Sequence, residues 1–406
     1  MQRSIYLFIV LAILPAAALA TQPVTQAASQ PGGEGGVGDG AATYARAIGP
    51  RQWSFPRDHG RHGNFRLEWW YFTGNLADGQ AHRWGYELTI FRTIVPARKP
   101  AASQSAAGDP PVHRLSPTTR PAMREFYFAH AAITDASGKR FVCRQKLAAA
   151  QAGAAEASDE AMDVHIGDWS IKMIGQAIAL QARSGYSDDL TGIDLSCEAQ
   201  RPPTLQGAGG LSQKSGETGA ASYYYSFTRL ATSGTLTVAS VPTRVSGLSW
   251  MDHEFSSGAL GPNQIGWDWM CLQLLDGQDV MIYRLRDMRG ADRDVVFGTI
   301  QGADGPPEYL DKARIKLVPS ELWTSPVTGA RYPLHWHVEI NSSPGMGSLG
   351  AFDVRPILVD QEMLTNLSSG ANYYEGASEA RDANGKLIGR GYLEMTGYER
   401  PLPSNW

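Results

Sequence analysis

Two short windows of this 406-residue chain hold the residue types from which acid–base chemistry in an apolar setting is built. One reads Trp250-Met251-Asp252-His253-Glu254 and resumes at Gly266-Trp267-Asp268-Trp269; the other reads Glu68-Trp69-Trp70-Tyr71-Phe72, with Trp84 shortly after. Six of the eleven tryptophans fall in these windows, so Glu68, Asp252, Glu254 and Asp268 all sit beside large aromatic rings. A carboxylate in such company is costly unless it is paired or protonated. Pairing means an arginine or a turn-forming hydrogen bond, and a structural role. Protonation means a carboxyl with a raised pKa that can deliver a proton near neutral pH. Both readings stay open for all four acids, and His253 alone reads as a hydrogen-bonded structural histidine.

The elements that must position these residues are strands. If Trp267 to Trp269 is extended, alternation sends both indoles to one face and Asp268 to the other. The same rule puts His335 and His337 on one strand face; no third ligand is marked nearby, so a solvated face is expected there and no metal site. Tyr223-Tyr224-Tyr225 reads as a strand passing between wet and apolar faces. No G-x-S-x-G, H-E-x-x-H, P-loop or Rossmann fingerprint is present, which removes the best-marked hydrolase, metalloprotease and nucleotide-binding classes.

Strand-like runs recur every ten to twenty residues between turn signals, with scarcely a helical period among them, as in antiparallel barrels or sandwiches. A helix is expected only around residues 361–367, and long loops over 97–120 and 151–163. The halves are related: a shift of 198 residues lays Trp69 on Trp267, Leu76 on Leu274 and Asp78-Gly79-Gln80 on Asp276-Gly277-Gln278, while Asp58-His59 and Asp252-His253 precede the two copies. This is the mark of a diverged tandem duplication. The expected organisation is a signal segment over 1–20, a flexible leader over 21–50, a first domain over 51–245 and a second over 246–400. A formal net charge of -4 without long runs of either sign excludes an electrostatic footprint for nucleic acid. Three cysteines cannot all pair within one chain; Cys143 with Cys197 is the one bridge to consider, and three buried thiols the alternative.

Phe55-Pro56-Arg57-Asp58-His59-Gly60, the run Glu68-Trp69-Trp70-Tyr71-Phe72-Thr73-Gly74-Asn75-Leu76, Trp250-Met251-Asp252-His253-Glu254, Tyr374-Glu375-Gly376-Ala377 and the closing Gly391-Tyr392-Leu393-Glu394-Met395-Thr396-Gly397-Tyr398 resemble the signatures of the AttH/CrtC family. The resemblance implies an all-β fold of two tandem lipocalin-like antiparallel β-barrel domains. The family includes carotenoid 1,2-hydratases, secreted proteins of the AttH-like branch, and relatives that shape pericyclic reactions of polyenes. All of these enclose long apolar molecules, and this chain is similar to the secreted branch.

Hydration of an isoprenoid double bond explains why acids should sit among indoles. A protonated carboxyl delivers H⁺ to carbon, Trp faces stabilise the tertiary carbocation, and a polar group such as His253 positions the water. Neither a metal nor an organic cofactor is needed, and none is expected. The candidate catalytic residues are therefore Asp252, His253, Glu254 and Asp268, expected to converge at a pocket near the interface between domains. Glu68, Trp69, Trp70, Tyr71, Trp250, Trp267 and Trp269 are the candidate ligand-binding residues. The ligand is expected to be a hydrophobic small molecule or lipid, and the reaction a hydratase or isomerase step. The alternative is a non-catalytic carrier working with an ABC-type permease, a partner often associated with the AttH-like branch.

Arg3, the apolar run from Ile5 to Leu14 and the small-x-small Ala18-Leu19-Ala20 read as a cleaved secretory signal, which implies a periplasmic or secreted protein. The mature N-terminus should be Thr21, read by N-terminal sequencing of the exported protein; an intact Met1 there would mean a membrane-anchored protein instead.

Overall fold

The computed structural model describes residues 44–96, 123–258, 260–343 and 349–402. The expected signal segment, residues 21–43 of the leader and the 97–120 loop lie outside the described residues.

Strands dominate because aromatic and β-branched residues alternate along short runs that end at glycine and aspartate turns. The first sheet takes β1 (Leu67–Ala77), β2 (Arg83–Pro96), β3 (Met123–Asp135), β4 (Arg140–Ala149), β5 (Ala155–Ala157), β6 (Asp163–Ile166), β7 (Trp169–Ile174) and β8 (Ala177–Ser184). It is completed by β9 (Thr191–Ala199), β10 (Thr204–Leu205), β11 (Leu211–Gln213), β12 (Ala221–Val238) and β13 (Val241–Ser256). The second sheet takes β14 (Gln264–Leu274), β15 (Asp279–Asp287), β16 (Val295–Gln301), β17 (Glu308–Asp311) and β18 (Ile315–Thr324). Its remaining strands are β19 (Arg331–Ile340), β20 (Gly350–Pro356), β21 (Glu362–Met363), β22 (Tyr373–Asp382) and β23 (Leu387–Met395). Every pairing is antiparallel, and both sheets are barrel-like.

Each sheet is built outward from its first strand. β1 pairs with β2 and with the last strand of its sheet, β13; β14 pairs with β15 and with the last strand of its own, β23. The two hairpins that follow use one device: Asp78 Oδ1 accepts from the Gln80 N–H at 2.9 Å, and Asp276 Oδ1 from the Gln278 N–H at 3.0 Å. Trp69 and Trp267 thus stand on topologically equivalent strands.

Hydrogen bonding assigns Val241–Ser256 to the first sheet, so the division between halves falls after Ser256, and a boundary at 245/246 would cut β13. No helix forms over 361–367; the short strand β21 pairs with β22 there and a turn follows. The three cysteines are free thiols, with Cys197 and Cys271 buried and Cys143 half-buried.

Most of the core lies in three clusters. Trp70, Phe72, Tyr86, Leu88, Trp169 and their neighbours fill the interior of the first barrel, and Leu272, Ile282, Trp336, Val338 and Phe352 that of the second. The third cluster, including Tyr71, Tyr224, Trp250, Trp269, Met281, Tyr283 and Tyr392, lies between the sheets, formed by the outward faces of their central strands. Polar contacts tie this joint together: Asn75 Nδ2 donates to the Gly391 carbonyl at 2.8 Å, Arg83 pairs with Glu379, and Arg229 and Arg201 reach Asp279 at 2.6 and 3.0 Å.

A Cβ on Gly85 of β2 would stand 2.5 Å from the Ala377 Cβ of β22, so glycine is required for the sheets to approach. Gly85→Val should cost about 1–3 kcal/mol in urea unfolding by over-packing the joint. Gly79→Ala, in open space, should change stability by under about 0.5 kcal/mol; equal effects of the two would show that the joint is loosely packed.

Candidate functional site

Residues paired across neighbouring strands share a face. In the first sheet the register aligns Trp69 with Glu254 and Tyr224, and Tyr71 with Asp252 and Ser226. In the second it aligns Trp269 with Tyr283 on one side and with Glu394 and then Glu375 on the other. These rows face each other and enclose a cavity of about 80 Å³. Carboxyl groups of Asp252, Glu254, Glu375 and Glu394 and the ammonium of Lys214 reach its wall between Trp69, Tyr71, Tyr224, Trp267, Trp269 and Tyr283.

Asp252 is buried, and its hydrogen-bond donors are all neutral: the Tyr224 hydroxyl at 2.6 Å, the Ser226 hydroxyl at 2.5 Å and the Trp250 indole N–H at 2.7 Å. Loss of hydration pushes its carboxyl up to about 7; the three donors pull the other way without cancelling it, and the neighbouring Glu254 adds to the rise. Trp269 donates to the Tyr224 oxygen at 3.2 Å, joining the second sheet to this network. Glu254 is held differently, with Lys214 Nζ 2.9 Å from Oε1. The Lys214 pKa is raised although burial opposes it, because Glu254 and other nearby acids favour the charged form.

The opposite wall repeats the arrangement. The 198-residue shift that relates Trp69 to Trp267 relates Tyr71 to Trp269, and the last-strand partners of that pair are Asp252 and Glu394. Burial pushes Glu394 up to about 8 against a hydrogen bond from the Trp267 indole at 2.9 Å. Glu375 is raised well above the carboxylate range by burial and by the neighbouring Glu394 and Glu87, although the Tyr71 hydroxyl donates to it at 3.0 Å.

Strand alternation splits the expected site. Asp252, Glu254, Trp69, Tyr71, Trp267 and Trp269 line the cavity, and Trp250 braces Asp252 and packs edge-on against Trp269. His253 points to the other face of β13, so it cannot position a water in the cavity. Its Nε2 lies 2.9 Å from Glu68 Oε1, and its ring stacks on Trp70 at 4.9 Å. Glu68 and Trp70 likewise face the barrel interior, away from the cavity, with Trp70 Nε1 donating to the His59 carbonyl. Asp268, opposite Trp267 and Trp269 on β14, is paired with Arg286 and accepts from the Tyr398 hydroxyl at 2.9 Å; the structure gives it the ion-pair alternative. His335 and His337 share Asp353 on a partly exposed face, at 3.0 and 2.9 Å.

Among the described residues His62, Glu68 and His253 form a group that could hold a metal ion, their ligand atoms all within 4.8 Å of one another. Those atoms are already engaged: Glu68 accepts from the His62 backbone N–H, and the His62 and His253 rings contact it at 2.8 and 2.9 Å. Arg92 Nη1 adds a buried positive charge 3.6 Å from Glu68. Despite its burial, this network holds the Glu68 carboxyl well below the usual range. The group acts as a strut joining the loop before β1 to β1 and β13.

Lys214, Tyr224, Ser226, Glu375 and Glu394 escaped the sequence reading as site residues. Glu375 and Glu394 stand in the motifs Tyr374-Glu375-Gly376-Ala377 and Leu393-Glu394-Met395, where an acid between apolar neighbours is the available signal. Lys214 follows a short strand within a glycine-rich stretch, and nothing local marks it.

A test of the Asp252 environment follows from linkage. The folded chain keeps this proton up to about pH 7, whereas the unfolded chain releases it near the ordinary value of 3.8. Folding therefore binds a proton in that window, and this group's contribution becomes less favourable as pH rises from about 4 to 7, then stays constant. In urea unfolding, Asp252→Asn should remove that slope, gaining up to about 4 kcal/mol relative to the parent between pH 4 and 7.5. Identical pH profiles would show that Asp252 ionises normally in the fold.

A family model for AttH-like proteins matches residues 46–398. No curated protein matches the sequence significantly. Among solved structures, an AttH-type protein from Nitrosomonas europaea is 29% identical, with a TM-score of 0.71 over 87% of this chain and 99% of its own. Kievitone hydratase from Nectria haematococca is 16% identical, with a TM-score of 0.56 over 82% of this chain and 89% of its own, a likeness of fold. The family match takes in both barrels and both walls of the cavity between them, and the chain belongs to the AttH-like family.

Proposed function

We propose that this protein binds a hydrophobic, isoprenoid- or lipid-like ligand in the cavity between its barrels and adds water to, or shifts, a carbon–carbon double bond there, with Asp252 as the proton donor. One observation carries the reading: a buried carboxyl with neutral hydrogen-bond donors, poised near pH 7, sits in an aromatic-walled cavity. The hydratase activity in the name of a structural neighbour is consistent with it.

In this reaction the Asp252 O–H bond breaks as a C–H bond forms on the alkene, leaving a carbocation on the adjacent carbon. The faces of Trp269, Trp267 and Tyr71 stabilise that charge. A water adds through oxygen and returns one proton to the Asp252 carboxylate, so the sum is alkene plus water to alcohol. Transfer of a proton from a neighbouring carbon to the Asp252 carboxylate instead gives the shifted alkene. Glu254, steadied by Lys214, and Tyr224 are the polar groups beside Asp252 that can orient the water. The volume suits one end of a long ligand, since about 80 Å³ is several times the roughly 10–15 Å³ that one enclosed water needs.

The reading includes export, on the strength of the charge, apolar run and small-x-small site within residues 1–20. Incubation with acyclic isoprenoid alkenes in D₂O, followed by mass spectrometry, should show deuterium on carbon. Asp252→Asn should lower the rate by at least about 100-fold while leaving ligand affinity within about threefold. Binding without incorporation in the parent protein would replace the enzyme with a carrier, for which an ABC-type permease is the partner to seek.

A further inference from the structure

Proton transfer at Asp252 leaves the chemistry of the Glu375–Glu394 wall unused. Glu375 is fully buried and lines the cavity, yet its Oε1 has no hydrogen-bond partner among the described residues. Glu394 beside it receives the Trp267 indole N–H, and among the described residues no lysine or arginine forms an ion pair with either acid. Tyr71, Trp267 and Tyr373 close round the two carboxyls. Across the same cavity the protein shows what such a wall can hold. There Lys214 places its ammonium 2.9 Å from Glu254 Oε1, over the Tyr283 ring at 4.6 Å and the Tyr224 ring at 5.5 Å.

We propose that the Glu375–Glu394 wall is a binding site for an organic ammonium group, so that the ligand is an amphiphile whose charged nitrogen sits between these carboxyls and the surrounding aromatic faces. Carboxylates supply the countercharge and rings the cation–π attraction, a pairing strengthened by exclusion of water. The cavity takes the head, and Leu67, Leu260 and Leu285 give the alkyl chain an apolar path. The inference rests on the cavity being the ligand site and is independent of proton transfer by Asp252.

Without a cation beside them both acids hold their protons, because burial raises both. The groups facing the pair are Tyr71 from β1, Glu87 from β2, Asp252 and Glu254 from β13, Tyr373 from β22 and Tyr392 from β23, all neutral or acidic; the cation in the cavity lining, Lys214, is engaged by Glu254. A bound ammonium favours ionisation, so binding expels a proton below the Glu394 pKa of about 8. Affinity for a permanent cation then rises with pH up to that point, by about tenfold per unit for one proton released, and levels off above it.

The test titrates the full chain with dodecyltrimethylammonium and with dodecanol, both below their aggregation limits, by tryptophan fluorescence and calorimetry at pH 6.5, 7.5 and 8.5. The ammonium should bind at least tenfold tighter than the alcohol at pH 7.5, with an advantage that grows with pH. Its binding heat should change with the ionisation enthalpy of the buffer. Glu375→Gln combined with Glu394→Gln should cut the advantage below threefold by weakening the ammonium, with dodecanol still bound. Equal affinities in the parent, or an undiminished advantage in the double variant, would overturn the ammonium site while leaving the cavity reading intact. Failure of both compounds to bind would overturn that reading and this inference with it.

Discussion

The structure turns on a carboxyl kept out of water without being handed a cation. Asp252 meets this condition because two sheets bury it between their outward faces, and the donors that satisfy it are hydroxyls and an indole instead of a guanidinium. Each supporting feature serves that condition. Gly85 lets the sheets close up, the Asn75 and Gln273 side chains donate to backbone carbonyls across the joint, and the arginines at its edge are spent on Asp279 and Glu379. Had one of those arginines reached Asp252, the acid would be ion-paired, as Asp268 is with Arg286.

The central strands work on both faces. On one, β1 and β13 carry Trp69, Tyr71, Asp252 and Glu254 into the cavity; on the other they carry Glu68, Trp70 and His253 into the barrel. The inner face is a polar network about Glu68 that ties the strands together, and the outer face holds Asp252 by neutral donors and Glu254 by Lys214. Buried polar networks rigidify when every member is satisfied. Burial between the sheets is what keeps the adjacent acid toward its neutral form.

Much of this was legible in the residues. Alternating runs separated by Asp-Gly turns specified strands, and the repeated Trp and turn spacing identified equivalent strands in the two halves. The aromatic windows pointed to Asp252 and Glu254. What was not legible has a common cause, namely pairing between strands far apart in sequence. Taking Asp252, His253 and Glu254 as one cluster ignored the alternation already applied to Trp267–Trp269, and the same rule moves Glu68 and Trp70 out of the site. Lys214, Tyr224, Glu375 and Glu394 come from strands and loops whose proximity depends on which sheet β13 joins and on how the two sheets face each other. Local sequence carries neither piece of information.

The equivalence of Asp252 and Glu394 has a consequence for a site assembled from two related halves. In a dimer of identical subunits, a cavity on the two-fold axis must present the same residue from both sides, and it dissolves on dilution. Joining the halves in one chain removes both restrictions at once. The walls stay together at any concentration, and each can diverge: one has become an aspartate caged by three donors, the other a glutamate held by a single indole beside a second glutamate. Covalent linkage allows a cavity whose two walls differ, so that a molecule placed between them would meet different chemistry on its two sides.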